Sequence, residues 1–324
     1  MAYEVTEESF DSLTFYWLTD LRLKWGSLFA LPAWLKAWWQ VFGLGKELHL
    51  RAVKDEGRVL GVAPLFIEGG KAFLLGSEDI CDYLDFAVIP GRESDFFEVL
   101  LCYLKAQGVR ELKLETLRPD SIVITHLGNI AQRWGDISAE RVATSFELDL
   151  PSTWEEYLGM LQTKQRHELR RKMRRLEEEG KIVYEVVEDK GEVPEYLEQF
   201  LSLFAQSRED KASFLTRERE EFFHLISQAM AEFGLFRFGV LSLDGRVVAM
   251  VMYFDWDNAF YLYNSGYDPE YSFLSVGIIS KALCIKEAIK LGRRRFDFLK
   301  GEERYKRHLG GREVQLSSFT LKFG

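Results

Sequence analysis

The sequence predicts a mixed α/β protein built of two similar units, and three observations predict it. Short β-type runs alternate with amphipathic helical runs along the 324 residues. The order hairpin, strand, helix, strand occurs in each half, with too little identity between the halves to establish a duplication. The length corresponds to about two domains of ordinary size. The boundary is expected near Leu150, giving units 1–150 and 151–324.

In the first unit, Leu48–Lys54 and Val59–Ile67 read as a hairpin around Asp55-Glu56-Gly57. Ala72–Leu75 and Tyr83–Val88 read as further strands. Ser94–Gln107 reads as a helix capped by Ser94 and ended by Gly108. Glu111–Leu117 alternates and is expected as a half-buried strand, followed by a helix near Pro119–Leu127 and a strand at Ser145–Leu150. The aromatic stretch Leu28–Leu44 carries Trp34, Trp38 and Trp39 at helical spacing. Pro32, Lys36 and Gln40 make it too polar to span a membrane, so it reads as an amphipathic core helix, with an interfacial membrane helix as the alternative.

In the second unit, Trp154–Leu161 is a short helix and Lys164–Glu179 a densely charged one that Gly180 stops. Ile182–Glu188 is a strand, and Pro194–Ser207 and Thr216–Phe233 are helices. Leu235–Leu243 and Val247–Asp255 form a hairpin on Asp244-Gly245. Phe260–Ser265, the helix Val276–Leu291, Arg295–Leu299 and Gln315–Lys322 follow, the last closing the sheet.

Composition excludes several classes. Hydrophobic residues make up 47% of the chain and aromatic residues 14%, which supplies a core and excludes a disordered chain. With 42 Lys+Arg against 51 Asp+Glu the net charge is −9, which argues against a nucleic-acid coat. Cys81, Cys102 and Cys284 are far apart and the five histidines are scattered, so neither a disulfide framework nor a metal site is expected. The acidic N-terminus does not read as a signal peptide. Together with the cysteine usage, it makes the cytoplasm the expected location. No nucleophile elbow, Walker loop or dinucleotide fingerprint occurs.

The most informative segment is FYLYNSGYDPEYSFLSVG, a strand and polar loop, followed by the helix IISKALCIKEAIKLG. The amides near Ser275, Val276 and Gly277 open that helix without intrahelical partners and suit a phosphate; an ordinary connection capped by Ser275 is the alternative. The strand RFDFL then runs into KGEERYK. Asp297, flanked by Phe296 and Phe298, projects to the face opposite their rings, where it is either paired or turned to a cleft.

These two segments together resemble the signature of the GNAT-type acyltransferase domain of CelD-like proteins, a group related to the Fem peptidyltransferases. WEEYLGMLQTKQRHELRRKMRRLEEEG, at Trp154–Gly180, is similar to the segment that opens that domain, and DYLDF at Asp82–Phe86 looks like a recurring element of the family. The resemblance is strong over Trp154–Gly310. It implies two tandem GNAT-like folds around a shared cleft, with acyl-CoA (acetyl-CoA) as donor in the C-terminal unit and no metal.

In such enzymes the donor lies where two strands splay, here beside Asn264 and Ser265, with its pyrophosphate on the amides of Leu274, Ser275, Val276 and Gly277. Gly277 stands alone where the family's loop has several glycines. Tyr267, Tyr271 and Tyr305 are candidate acids for the leaving thiolate, and Asp297 and Glu302 candidate bases. Lys306 is a candidate contact for donor phosphates or an acidic substrate. Asp82, Tyr83 and Asp85 would line an acceptor pocket for an amine or sugar hydroxyl, unless they form a solvated acidic turn.

Arg166, Arg170 and Arg174 share one face of the basic helix, beside an apolar stripe of Leu161, Leu169, Met173 and Leu176. That face is either a solvated surface or a contact for tRNA or a polyanionic glycan, with Arg166 and Arg170 the candidates for a cleft-facing role. The expected partner is a small-molecule or glycan-precursor acceptor, such as a sugar or exopolysaccharide precursor. Aminoacyl transfer from tRNA in the Fem manner and a non-catalytic scaffold in polysaccharide assembly are the alternatives.

Overall fold

The computed structural model describes residues 3–77 and 79–324. The chain divides into two compact units, one formed by Met1–Thr144 with Val314–Gly324 and the other by Ser145–Glu313. The expected division at residue 150 therefore moves to 145. The C-terminal strand does not close the second unit: Ser317–Lys322 pairs antiparallel with Glu111–Leu117 of the first.

The first unit contains β1 (Tyr3–Glu7), α1 (Phe10–Thr19), β2 (Lys24–Trp25), α2 (Pro32–Phe42), β3 (Glu47–Asp55), β4 (Arg58–Glu68), β5 (Lys71–Leu74), β6 (Ala87–Val88), α3 (Glu93–Ala106), β7 (Glu111–Leu117) and α4 (Gly128–Ala131). β8 (Gly135–Asp149) leads into the second unit. Pro32 starts α2, whose Trp34 and Trp38 are buried. The β3–β4 hairpin turns on Glu56 and Gly57, both at positive φ. The sheet order is β1-β3-β4-β5-β7, completed by the C-terminal strand.

Two expectations fail locally. Tyr83–Val88 is a strand only at Ala87–Val88, because Asp85 accepts the Phe86 and Ile122 amides and holds the preceding segment as a loop. Ser94 does not cap α3: Arg92 occupies the cap, without a side-chain bond to the helix.

The second unit contains α5 (Trp154–Met160), α6 (Thr163–Glu179), β9 (Ile182–Val187), α7 (Val193–Ser207), α8 (Glu209–Phe214), α9 (Arg217–Ala231), β10 (Phe236–Leu243), β11 (Arg246–Trp256), β12 (Ala259–Tyr267), α10 (Val276–Lys290), β13 (Arg295–Lys300) and α11 (Arg304–His308). β14 (Arg312–Phe323) returns to the first unit. Within the second unit the order is β8-β13-β12-β11-β10-β9, with β12–β13 parallel and the remaining pairs antiparallel.

Helices cover both faces of this sheet. α6 and α10 pack on one face through Leu169, Ala282 and Ile285 against Tyr253, Phe260 and Leu262. α7 and α9 pack on the other through Phe200, Phe204 and Phe223 against Phe238 and Tyr263. α7 crosses β12 so closely that a Cβ on Gly266 would come within 2.5 Å of the Phe204 amide nitrogen. Glycine is required there by close approach of two backbones. Among the described residues, no helix is long and apolar enough to cross a membrane.

Candidate active site

β12 and β13 pair over only three residues, Ala259↔Arg295, Phe260↔Phe296 and Tyr261↔Asp297. Beyond Tyr261 and Asp297 the strands part. β11 against β12 is irregular at Met252/Tyr253, and β13 against β8 shifts register between Asp297 and Leu299. Leu299 takes a left-handed backbone, φ 62. These irregularities aim the strand ends apart and leave a V with unpaired backbone on its banks. Asn264 and Ser265 lie half-buried on the β12 bank, beyond the last parallel pair.

α10 begins beside the end of β12. A short 3₁₀ turn, Pro269–Leu274, precedes it, and Ser275 is its cap in the left-handed region, φ 61, with no side-chain cap bond. The Ser275 amide donates to Ser272 O. Leu274 is buried and belongs to the turn. Of the amide cradle expected at Leu274–Gly277, this leaves Val276 and Gly277, whose N–H groups meet no acceptor among the described residues. No acidic residue stands in the first turn of α10, so the positive helix end is not neutralised from within. Gly277 also has a packing use: a Cβ there would come within 2.9 Å of the Tyr267 ring. The residue lets half-buried Tyr267 pack on the helix end.

The candidate side chains differ widely in setting. Asp297 is fully buried and its Oδ1 accepts the Leu299 amide at 2.8 Å. Glu302 points to solvent, and Tyr271 lies beside the Arg246 guanidinium on the loop before α10. Tyr305 is enclosed, and burial pushes its phenol well above the ordinary range, with Glu303 adding to the effect. Lys306 is buried. Its Nζ donates to Leu299 O at 3.0 Å and to Lys300 O at 2.6 Å, and it pairs with Glu303 Oε2 at 3.0 Å.

Three residues that sequence reasoning missed complete the V. Lys281 of α10 is buried, donates from Nζ to Gly277 O at 2.7 Å and lies 4.9 Å over the Tyr305 ring. Burial, with Lys211 next in size, pushes its pKa down to about 7. Lys211 of α8 donates to Ser265 O, and burial with Arg208 pushes it down to about 8. Glu303, rather than Glu302, is the carboxylate that faces these lysines.

The remaining candidates lie elsewhere. Arg166 donates to Gly159 O at 3.4 Å, and Arg170 is exposed on α6. Arg175 of the same helix lies 5.6 Å over Phe273 of the loop before α10. In the first unit, Asp82 is half-buried and Tyr83 is buried with the Arg118 guanidinium 4.9 Å over its ring. Asp85 is buried, and burial pushes its carboxyl up to about 7 against the opposing Phe86 and Ile122 amides. Its oxygens are thus engaged by backbone rather than offered to an acceptor. Among the described residues, no group of three or more His, Cys, Asp or Glu is placed to hold a metal.

Among solved structures the chain is similar to FemX, with TM-score 0.68 and 13% identity over 99% of this chain and 97% of that one. It is also similar to L-PGS from Bacillus licheniformis, with TM-score 0.54 and 11% identity over 88% and 90%. A tandem GNAT protein from the clavulanic acid biosynthesis pathway matches with TM-score 0.51 and 11% identity over 98% of each chain. At these identities the likeness shows the fold. No curated protein matches the chain. Residues 163–307 match the family described as acetyltransferase (GNAT) domain, and the V and the opening of α10 lie within the matched residues.

Proposed function

We propose that the chain is an acyltransferase that moves an acyl group from acyl-CoA to an amine or hydroxyl of a small acceptor, such as a sugar or cell-envelope precursor. The observation that carries this reading is the parting of β12 and β13 beside the uncapped amides of Val276 and Gly277. These amides suit the donor's pyrophosphate, and the unpaired backbone of the V suits the donor's own amide groups.

Direct transfer needs a proton removed from the attacking amine and one returned to the thiolate. Glu303 is the carboxylate best placed to accept the first, directly or through water. Half-buried Tyr267, packed on the opening of α10, is the candidate donor of the second. Burial makes Tyr305 a weaker acid than a free phenol, which counts against it for that step. Calorimetric titration with acetyl-CoA and longer acyl-CoAs tests the reading. Saturable binding that is lost on adding an acid to the first turn of α10 supports it, and a folded protein that binds no CoA compound overturns it.

A second reading, aminoacyl transfer from tRNA, is favoured by one observation. Exposed Arg170, Arg171 and Arg174 share α6 with Arg175, which touches the loop before α10 through Phe273. Salt-dependent tRNA binding with a steep slope, lost when these arginines become glutamine, is its test.

A further inference from the structure

The V gathers three lysine side chains around one carboxylate that acts on all of them. Each bank carries a lysine on its carbonyls: Lys211 on Ser265 O of β12, and Lys306 on Leu299 O and Lys300 O of β13. Lys281 reaches in from α10 and interacts electrostatically with both. One carboxylate, Glu303, acts on all three ammonium groups, paired with Lys306 at 3.0 Å. Asp210, beside Lys211, is itself held by Arg208 through two bonds of 2.9 Å. With one exposed carboxylate, Glu303, acting on all three lysines, burial drives Lys281 and Lys211 toward release of their protons in the empty protein. Their charged forms become favourable when a ligand brings in negative charge with good hydrogen-bond geometry.

The helix opening already offers the Val276 and Gly277 amides to a donor pyrophosphate, which leaves the lysines for a second anionic group. We propose that the acyl group is itself anionic: the donor is a dicarboxylic acyl-CoA of the succinyl type, its distal carboxylate lying among Lys211, Lys281 and Lys306. This rests on the acyl-CoA reading and narrows it to a substrate class. A simple acetyl group would bring the lysines no such charge. A carboxylate could also arrive on the acceptor, and the test separates the two sources because it uses donors alone.

The groups facing Lys281 are Lys211, Lys306, Glu303, the Cys284 thiol and the Tyr305 ring. A bound carboxylate adds a negative charge to this set, so Lys281, pushed down to about 7, and Lys211, pushed down to about 8, are driven to full protonation. Binding therefore takes up a proton near neutral pH.

The full-length protein is titrated by calorimetry with succinyl-CoA and with acetyl-CoA at neutral pH, in two buffers of different ionisation enthalpy. Succinyl-CoA is expected to bind at least about tenfold more tightly and to take up protons, which acetyl-CoA does not. Lys281→Met and Lys211→Met should each bring the ratio of the two dissociation constants toward one. Lys211, the less buried of the pair, gives the same readout where the Lys281 variant folds poorly. Equal affinities for the two donors overturn the inference and leave the acyl-CoA reading standing. Absence of binding to either donor overturns both. Discrimination that survives in both lysine variants overturns the placement of the carboxylate.

Discussion

The two units share a backbone device and surround it with different side chains. In the first, β5 and β7 run parallel over Lys71↔Glu111, Ala72↔Leu112 and Phe73↔Lys113; in the second, β12 and β13 pair over three residues as well. Each later strand then bends at a non-glycine residue with a left-handed backbone, Thr116 at φ 52 and Leu299 at φ 62. The side chains diverge. A pocket of about 420 Å³ in the first unit is walled by Trp38, Phe66, Phe73, Leu74 and Leu84, and its Lys113 and Glu115 pair at 2.6 Å. The V of the second unit gathers lysines that outnumber their carboxylate.

The helices differ in the same sense. The first turn of α3 holds Glu93 and Asp95, and its cap residue Arg92 is bound by Asp55 and Asp95, whereas α10 opens bare. Two strands that part do not by themselves define a ligand; on the proposed reading, the side chains around the gap do.

The largest effect expected from this contrast is on stability. Trp38 is buried, stacks on Phe66 at 5.8 Å and donates to Ser77 Oγ at 3.2 Å. Trp38→Ala should cost about 3–5 kcal/mol in denaturant unfolding. Lys281→Met, which removes a buried charge and keeps the volume, should cost little or stabilise. Equal losses in the two variants would mean that the cationic V is as structural as the aromatic pocket.

Next comes the opening of α10. Ser275→Asp places a carboxylate where the first turn has none, at a left-handed position that Asp tolerates. Stability should rise by about 0.3–1 kcal/mol through the helix dipole. Affinity for CoA compounds should fall by at least about thirtyfold, roughly 2 kcal/mol. A variant that gains stability and keeps its affinity would show that the donor avoids this helix end.

The third effect is one of pH. Lys281 is pushed down to about 7 from an ordinary value of 10.5. Between those values the unfolded chain holds a proton that the folded chain has released, so this group makes stability rise with pH across that window and contributes no slope below it. Subtracting the Lys281→Met profile from the wild-type profile should leave a positive slope approaching about 1.4 kcal/mol per pH unit. Parallel profiles would mean that the ammonium is solvated after all. His49 of the first unit, held down to about 4 by burial and Arg51, acts in the acid range and cancels in this difference.

Much of this frame was legible in the chain. Asp-Glu-Gly and Asp-Gly fixed the two hairpin turns, where Glu56, Gly57, Asp244 and Gly245 all take positive φ. Gly180 marked the end of α6, and FYLYNSGYD followed by an apolar helix marked β12 and α10. The lysines of the V were not legible. In KALCIKEAIK, Lys281 looks like Lys286, one of the solvated positions of an amphipathic helix. Tertiary packing buries it, with its Nζ on Gly277 O and over the Tyr305 ring. Lys211 sits on a helix of six residues with no apolar period to reveal it, and it meets Ser265 O through tertiary packing. Glu302 and Glu303 differ by one position, which pattern cannot resolve in a turn. β8 extends back to Gly135 although most of that stretch is exposed, because pairing rather than burial makes it a strand.

The smallest effect separates the two bends themselves. A left-handed backbone costs a non-glycine residue roughly 1–2 kcal/mol, and a β-branched one the most. Thr116 is buried and its Oγ1 finds no hydrogen-bond partner among the described residues. Thr116→Gly thus removes backbone strain and a buried unsatisfied hydroxyl, and loses one methyl contact and some unfolded-state entropy. These terms nearly cancel, and the variant should lie within about 1 kcal/mol of wild type. Leu299 relieves the same strain when replaced by glycine, but it is 2% exposed, so its loss leaves a hole and costs about 2 kcal/mol or more. Its carbonyl also receives Lys306, so a looser backbone there should weaken CoA binding where Thr116→Gly does not. If the two variants weaken binding alike, both bends serve the donor, and the contrast between an aromatic pocket and a cationic V is one of packing alone.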